Sequence, residues 1–295
     1  MSEDKRHGLL KKQGLTQTEL AEIEELAGVC NAYEGLDLKL NWNVLRKRSE
    51  TETNDFLYYV DGKLVGFLPL FSFNAKEGEI SGMVHPQYRR QGIFTALFNA
   101  VMEECQRRGL PTVLLIVEQA SPGGQAFARR LETTYDHSEY KMVLDKPRLP
   151  AQMNERLQFR LAEAEDAPML TRITSLAFDM PEGEVDWYAA HNVMARSDRF
   201  YYVGALDGAV IGKLDVQFAG EQEAFIFGFG VLPEYRGKGY GRQILAQTIQ
   251  EFLANGRRQI ALEVSTDNKN ALSLYQSCGF EETGSYDYYR LPTGK

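Results

Sequence analysis

At 295 residues, 43% hydrophobic and 25% charged, the chain has room for two domains, each with a buried core. A net charge of −8 and a pI near 5.2 argue against a broad basic footprint for nucleic acid and favour cationic partners such as amines. No apolar run approaches the ~20 residues that span a bilayer, and Met1 to Lys12 is polar with no apolar h-region. The expectation is a cytoplasmic protein with neither membrane nor nucleic acid as partner. Cys30, Cys105 and Cys278 are odd in number, far apart and in helix-like stretches, which suits packed thiols and provides no metal site.

Taken in chain order, Thr16 with Glu19 makes a capping-box pattern before a Leu20/Ile23/Leu26 helix face. A hairpin follows, with Tyr58-Tyr59-Val60 and Leu64 to Leu68 around an Asp61-Gly62 turn. A further strand leads into Val84-His85-Pro86-Gln87-Tyr88-Arg89-Arg90-Gln91-Gly92, then a helix from Phe94 to Arg108, a β-rich run from Thr112 to Val117, a short helix and a final strand. Lys146 to Ala151, with two prolines, reads as a linker. The order then repeats: Asp166 before a Met169/Leu170/Ile173 face, a Tyr201-Tyr202-Val203-Gly204 strand, an Asp207-Gly208 turn, and Val231-Leu232-Pro233-Glu234-Tyr235-Arg236-Gly237-Lys238-Gly239. A helix from Tyr240 to Asn255, a strand from Gln259 to Val264, a short helix and the aromatic strand Tyr286-Asp287-Tyr288-Tyr289 close the chain.

The repeat offset is 146 at the hairpin turns (Asp61 to Asp207) and 147 at the Pro-Tyr-Arg segments (Val84 to Val231). Half a chain length means a duplicated domain rather than a solenoid. Each copy is a mixed α/β unit with helices on the faces of one sheet. The expected boundaries are 1–147 and 152–295.

Arg236-Gly237-Lys238-Gly239-Tyr240-Gly241 lies between a strand and a helix. Glycines there let backbone N–H groups converge on one anion, and the helix start adds partial positive charge. The spacing matches neither a P-loop nor a dinucleotide fingerprint. In this loop the chain resembles the GCN5-related N-acetyltransferases, whose signature is Gln/Arg-x-x-Gly-x-Gly/Ala after the fourth strand. The second copy fits at Arg236, Gly239 and Gly241. The first fits at Arg89 and Gly92 but carries Phe94 at the last small position. Leu262-Glu263-Val264, Asn268, Ala271, Leu274-Tyr275 and Gly279-Phe280 resemble a further string of the same family.

The resemblance implies two tandem domains of that mixed (α+β) fold and acetyl-CoA as co-substrate, held between the fourth and fifth strands. It places Phe229, Gly230, Val231, Arg236 to Gly241, Asn268, Ala271 and Tyr275 at the coenzyme in the second copy. In the first copy it places Val84, Arg89, Arg90, Gln91, Gly92, Ile93 and Phe94 there. Acyl transfer to an amine needs a proton acceptor, a polarised carbonyl and a proton donor for the leaving thiolate. By resemblance Tyr275 is the donor, a phenol near its usual pKa of about 10, or else a core tyrosine. Glu263, 12 residues before Tyr275 as in members that acetylate protein N-termini, is the candidate base, with Glu223 as rival. Backbone N–H groups of Phe229-Gly230-Val231, where glycine suits a bulge, would polarise the carbonyl. Asn268 either meets the pantetheine arm or serves a turn.

At the matching positions the first copy has Ile116 and Ala128, beside Phe127, and neither moves a proton. Glu118 shares a strand face with Ile116. That copy reads as degenerate: it holds the coenzyme or its phosphates, or only supports its twin. The stretch from Asp179 to Tyr188, acidic and aromatic, suits a cationic amine or a solvated loop, and the Tyr286 strand is a second candidate for the acceptor groove. The function expected is acetyl transfer to an amine of a small molecule or peptide in a ternary complex. The competing reading is a non-catalytic acyl-CoA binder. Monomer or dimer is left open.

Overall fold

The structure is a computed structural model that describes residues 6–48, 50–73, 76–185, 188–189, 193 and 199–294. Strands β1 (Gly8–Lys12), β2 (Asp55–Val60), β3 (Lys63–Phe71), β4 (Glu77–Ile80), β5 (Met83–Val84), β6 (Thr112–Glu118) and β7 (Thr134–Leu144) run through the first half. Helices α1 (Gln17–Glu34), α2 (Trp42–Leu45), α3 (Ile93–Arg108) and α4 (Pro122–Arg130) lie between them. The second half has β8 (Leu157–Leu161), β9 (Arg199–Leu206), β10 (Ala209–Ala219), β11 (Glu223–Val231), β12 (Gln259–Ser265) and β13 (Phe280–Pro292). Its helices are α5 (Ala167–Phe178), α6 (Tyr240–Ala254) and α7 (Lys269–Cys278).

Local chemistry sets these elements as read. Thr16 accepts from the Glu19 amide while Glu19 reaches back to the Thr16 amide, closing the capping box of α1. Both hairpins turn through an Asp-Gly pair in the left-handed region, Asp61 and Gly62 at φ 50° and 87° and Asp207 and Gly208 at 50° and 83°, the geometry two-residue turns demand.

The chain folds into two compact units, one of Met1–Glu139 with Gly284–Lys295, the other of Tyr140–Thr283. This departs from the expected boundaries of 1–147 and 152–295 at both edges. The last strand leaves its own half: β13 pairs antiparallel with β6, Tyr286 opposite Glu118 and Tyr288 opposite Ile116. The aromatic strand therefore serves the first unit and not the second copy's groove. The expected linker is tied into the second unit, where the Asp145 and Arg148 amides donate to the Gly279 and Cys278 carbonyls. Gly279, at φ 101°, has no room for a side chain, since a Cβ would fall 1.9 Å from the Lys146 carbonyl oxygen.

In the first unit, Ile23 and Leu26 of α1 bury one sheet face with Leu57 and Phe67, and Leu97 and Val101 of α3 bury the other with Leu68, Val113 and Leu115. In the second unit, Ile244, Phe252, Leu272 and Tyr275 of α6 and α7 pack on Leu214, Ile226, Leu262 and Val264. Leu170 of α5 packs the opposite face with Tyr201 and Val203. All three cysteines are buried and free. No described helix is long and apolar enough to cross a membrane.

Candidate active site

The two glycine loops share one backbone conformation. Arg236 is extended, Gly237 and Gly239 are left-handed at φ 71° and 81°, and Tyr240 starts α6. In the first unit Arg89 is extended, Arg90 and Gly92 are left-handed at 65° and 81°, and Ile93 starts α3. Arg90 thus occupies a conformation that costs an L-residue about 1 kcal/mol or more. Among the described residues no side chain caps either helix, which leaves first-turn N–H groups that an anion can take.

The side chains of the two motif arginines do not face that anion position. Arg236 Nε donates to the Val231 carbonyl at 2.8 Å and Nη2 to the Leu176 carbonyl at 3.2 Å. Arg89 Nε donates to the Val84 carbonyl at 3.0 Å and pairs with Glu34 at 2.9 Å. Each arginine ties its loop to the strand before it.

Behind each loop the sheet forks. Parallel pairing of β11 with β12 runs from Glu223↔Gln259 to Ile226↔Leu262 and stops. Pairing of β4 with β6 runs from Glu77↔Thr112 to Ile80↔Leu115 and stops likewise. In the first unit the opening is a cavity of about 480 Å³, a size that suits small ligands. Val84, Arg90, Phe94, Ile116, Glu118 and Phe127 are among its lining residues. Phe94 packs edge-on against Phe127 at 4.7 Å, while its counterpart Gly241 leaves Leu274 and Phe229 only ordinary contact distance away. Glu118 is buried and accepts a hydrogen bond from the Asp37 amide at 2.9 Å.

The change of repeat offset from 146 to 147 is located by strand register. β3 pairs with β4 and β5 in one unbroken register. β10 pairs with β11 as Lys213↔Gly230 and then Asp215↔Phe227, so Gly228 and Phe229 together face Leu214. The second copy has one residue more, and it forms a bulge at the mouth of the fork, with Gly228 at φ 55°. The bulge glycine is therefore Gly228 rather than Gly230. Gly230 is small for packing, since a Cβ would meet Ala177 and Ile173 of α5 at 2.9 and 3.0 Å.

Tyr275 is buried on α7 against Phe229 and Phe280, ring centroids 6.5 and 6.0 Å away. Burial pushes its phenol up to about 12, above the ordinary value expected from sequence. Glu263 lies one residue beyond the last β11–β12 pair. Strand alternation turns it away from the face where Leu262 and Val264 pack with Tyr275. Glu223, the rival base, is exposed at the closed end of the fork, opposite Gln259. Asn268 caps α7, its Oδ1 accepting from the Ala271 amide at 3.1 Å. Gln91, Gly237, Lys238 and Gly239 are exposed, and Ile93 is buried in the first core. In the acidic stretch, Asp186 and Trp187 lie outside the described residues.

Comparison with known proteins bears on this geometry directly. The model of the acetyltransferase (GNAT) family matches twice, over residues 19–132 and 167–280. The chain belongs to the GNAT acetyltransferase family. It is accordingly an acyltransferase of tandem GNAT architecture. Mycothiol acetyltransferase of Mycolicibacterium smegmatis is 25% identical over 289 residues, covering 92% of this chain and 94% of that protein. The N-alpha-acetyltransferase RimI of Mycobacterium tuberculosis is 35% identical over 126 residues, 41% of this chain and 78% of the relative. A GCN5-related N-acetyltransferase from Sphaerobacter thermophilus shares the fold at TM-score 0.81 with 18% identity, covering 97% of this chain and 96% of that one. A tandem GNAT protein from the clavulanic acid biosynthesis pathway, solved without AcCoA, does so at 0.72 with 17% identity, over 97% and 98% of the two chains.

One cluster beside the GNAT fork was missed in the sequence. Lys213 and Asp215 of β10 are buried and paired at 3.0 Å. The Tyr188 hydroxyl donates to Asp215 Oδ2 at 2.5 Å and accepts from Thr174 at 3.2 Å and from Lys213. Burial drives the lysine down and the carboxyl up from their usual values, and each charge offsets the shift of the other. The signal was available: two charges two residues apart in the otherwise apolar run Val210 to Val216.

Proposed function

We propose that the chain transfers the acetyl group of acetyl-CoA to a primary amine of a small molecule or peptide, by direct attack within a ternary complex, at the fork of the second unit. The observation that carries this reading is the bulge at Gly228–Phe229, which sits where β11 leaves β12, between the glycine loop and Tyr275. A bulge leaves backbone N–H groups outside the ladder, and such donors stabilise charge developing on a thioester oxygen. The amides of Gly237 to Gly241 would take the diphosphate, with Arg236 holding the loop in shape. Phe229 to Val231 would line the thioester. Tyr275, protonated across the working pH range, would give its proton to the departing thiolate, and Glu263 would take one from the ammonium, directly or through water.

The first unit keeps the loop and the fork but has Ile116 and Ala128 where those two groups stand, and its β3 pairs with β4 and β5 without the one-residue shift of β10 and β11. We assign it coenzyme holding without catalysis. The GNAT relatives include proteins named for N-alpha and S-alkylcysteine N-acetylation, which supports an amine nitrogen as acceptor.

The test is thiol release from acetyl-CoA with S-methylcysteine, a peptide bearing a free N-terminus, spermidine and an aminoglycoside. Acceptor-dependent release with one of them, lost in Tyr275→Phe, is the expected result. Tight coenzyme binding with no release from any of the four would replace the enzyme reading with that of an acyl-CoA binder.

A further inference from the structure

Lys213 and Asp215 correspond, 146 residues upstream, to Phe67 and Pro69. The copy with the ion pair has the bulge; in the copy with Phe67 and Pro69, β3 keeps one register with β4 and β5. The pair also touches the bulge itself. A Cβ on Gly228 would lie 2.8 Å from Asp215 Oδ2 and 2.9 Å from Lys213 Nζ, so the two charged groups fill the space beside the left-handed turn where a side chain would stand. Tyr188, from the segment between α5 and β9, closes the cluster through its hydroxyl, and Thr174 of α5 anchors that hydroxyl in turn.

A buried ion pair is a weak source of stability, since apolar residues of similar volume often replace it without loss. Its hydrogen bonds are directional, and apolar replacements cannot reproduce that. We propose that Lys213, Asp215 and Tyr188 form a positioning network that fixes the Gly228–Phe229 bulge, and so the backbone donors beside it, in the geometry acyl transfer requires. This rests on the second unit being the acetyl-transferring site. The three residues touch neither acceptor nor thioester; they act through the bulge. Donors of this kind lose rate steeply when displaced, by about 100-fold or more for a single lost donor.

Two measurements test the network. The double variant Lys213→Met/Asp215→Leu removes both charges and leaves neither partner buried alone. Its melting temperature and its Kd for coenzyme A should stay close to those of the unaltered chain, the Kd within about twofold. With the best acceptor of the four-amine panel, kcat should fall about 10- to 100-fold while KM for acetyl-CoA holds. A crystal structure of the variant should show the Gly228–Phe229 bulge displaced. A kcat within twofold of the unaltered chain, or a bulge unmoved, overturns the network. Should the double variant fail to fold, Tyr188→Phe keeps the ring and removes the hydroxyl; kcat should then drop several-fold at constant coenzyme affinity, and an unchanged kcat overturns the proposal. If the unaltered chain turns over no amine, the acetyl-transfer reading fails by itself, and the position of the bulge in the variant still decides the network.

Discussion

Arg236 donates from Nε to the carbonyl oxygen of Val231 at 2.8 Å, folding the first residue of the glycine loop back onto the strand that precedes it. Arg89 does the same to Val84 in the other copy. The loop conformation is therefore held by a charged side chain, and the anion-facing work is left to the backbone. Arg236→Ala should weaken coenzyme A binding about five- to tenfold, because a hydrogen bond of this kind at an exposed position is worth about 1 kcal/mol. Arg236→Lys should not restore it, as one ammonium cannot reach both the Val231 and Leu176 carbonyls in the geometry of a planar fork. Isothermal calorimetry with coenzyme A reads both; full affinity in Arg236→Ala would return the loop's shape to its glycines alone.

Tyr275 gives a prediction with a sign. Its phenol is pushed from 10.0 to about 12 by burial, so the native state keeps a proton that the unfolded chain releases above pH 10. A raised pKa contributes stability fully present below the unfolded value and lost as pH rises towards the folded one. Urea midpoints of the unaltered chain should fall more steeply between pH 10 and pH 12 than those of Tyr275→Phe. Equal slopes would mean that the hydroxyl is solvated. In the same variant kcat should drop at least tenfold with coenzyme affinity within a factor of about two, the split expected of a group acting only on the leaving thiolate.

Much of the site was legible because its chemistry is local. Gly239 and Gly92 announce themselves since the left-handed region at a helix start is open chiefly to glycine, and the bulge was present in the sequence as a one-residue change of repeat offset. Arg90 shows the limit: it adopts the same backbone as Gly237 with no residue-type signal, held there by the fold around it. The exchange of β13 was illegible for a different reason. Alternating aromatic residues fit any half-buried strand position, and nothing within Phe280 to Pro292 names β6 as the partner. The Lys213–Asp215 pair was visible as a pattern, but two charges in a strand carry no meaning until the backbone beside them is known.

Strand exchange makes the first unit depend on the end of the chain. In β13, Tyr286 and Tyr288 bury against Leu114 and Ile116, and the ladder pairs every residue of β6 from Thr112 to Glu118. Truncation before Gly284 strips that edge and exposes the cluster. Amide hydrogen exchange should accelerate by orders of magnitude across Val113 to Glu118, while Ile260 to Val264 in the second unit stay protected. Acceleration in both stretches alike would mean that the two units unfold as one.

The twin loops allow coenzyme occupancy to be assigned copy by copy. Gly239 and Gly92 both lie at φ 81°, and a Cβ on either would meet nothing closer than 4.0 Å. Alanine there is strained by backbone alone, at about 1 kcal/mol, which leaves the fold intact while placing a methyl group beside the helix-start amides. Gly239→Ala should weaken coenzyme binding at the second unit about tenfold and lower kcat/KM for acetyl-CoA in proportion. Gly92→Ala should weaken binding at the first unit to a similar degree and leave kcat/KM as it was. Calorimetry should accordingly give two equivalents for the unaltered chain and one tight equivalent for each variant. If Gly92→Ala lowers turnover and Gly239→Ala does not, the catalytic assignment of the two copies is reversed, and the fork beside Glu118 becomes the reacting one.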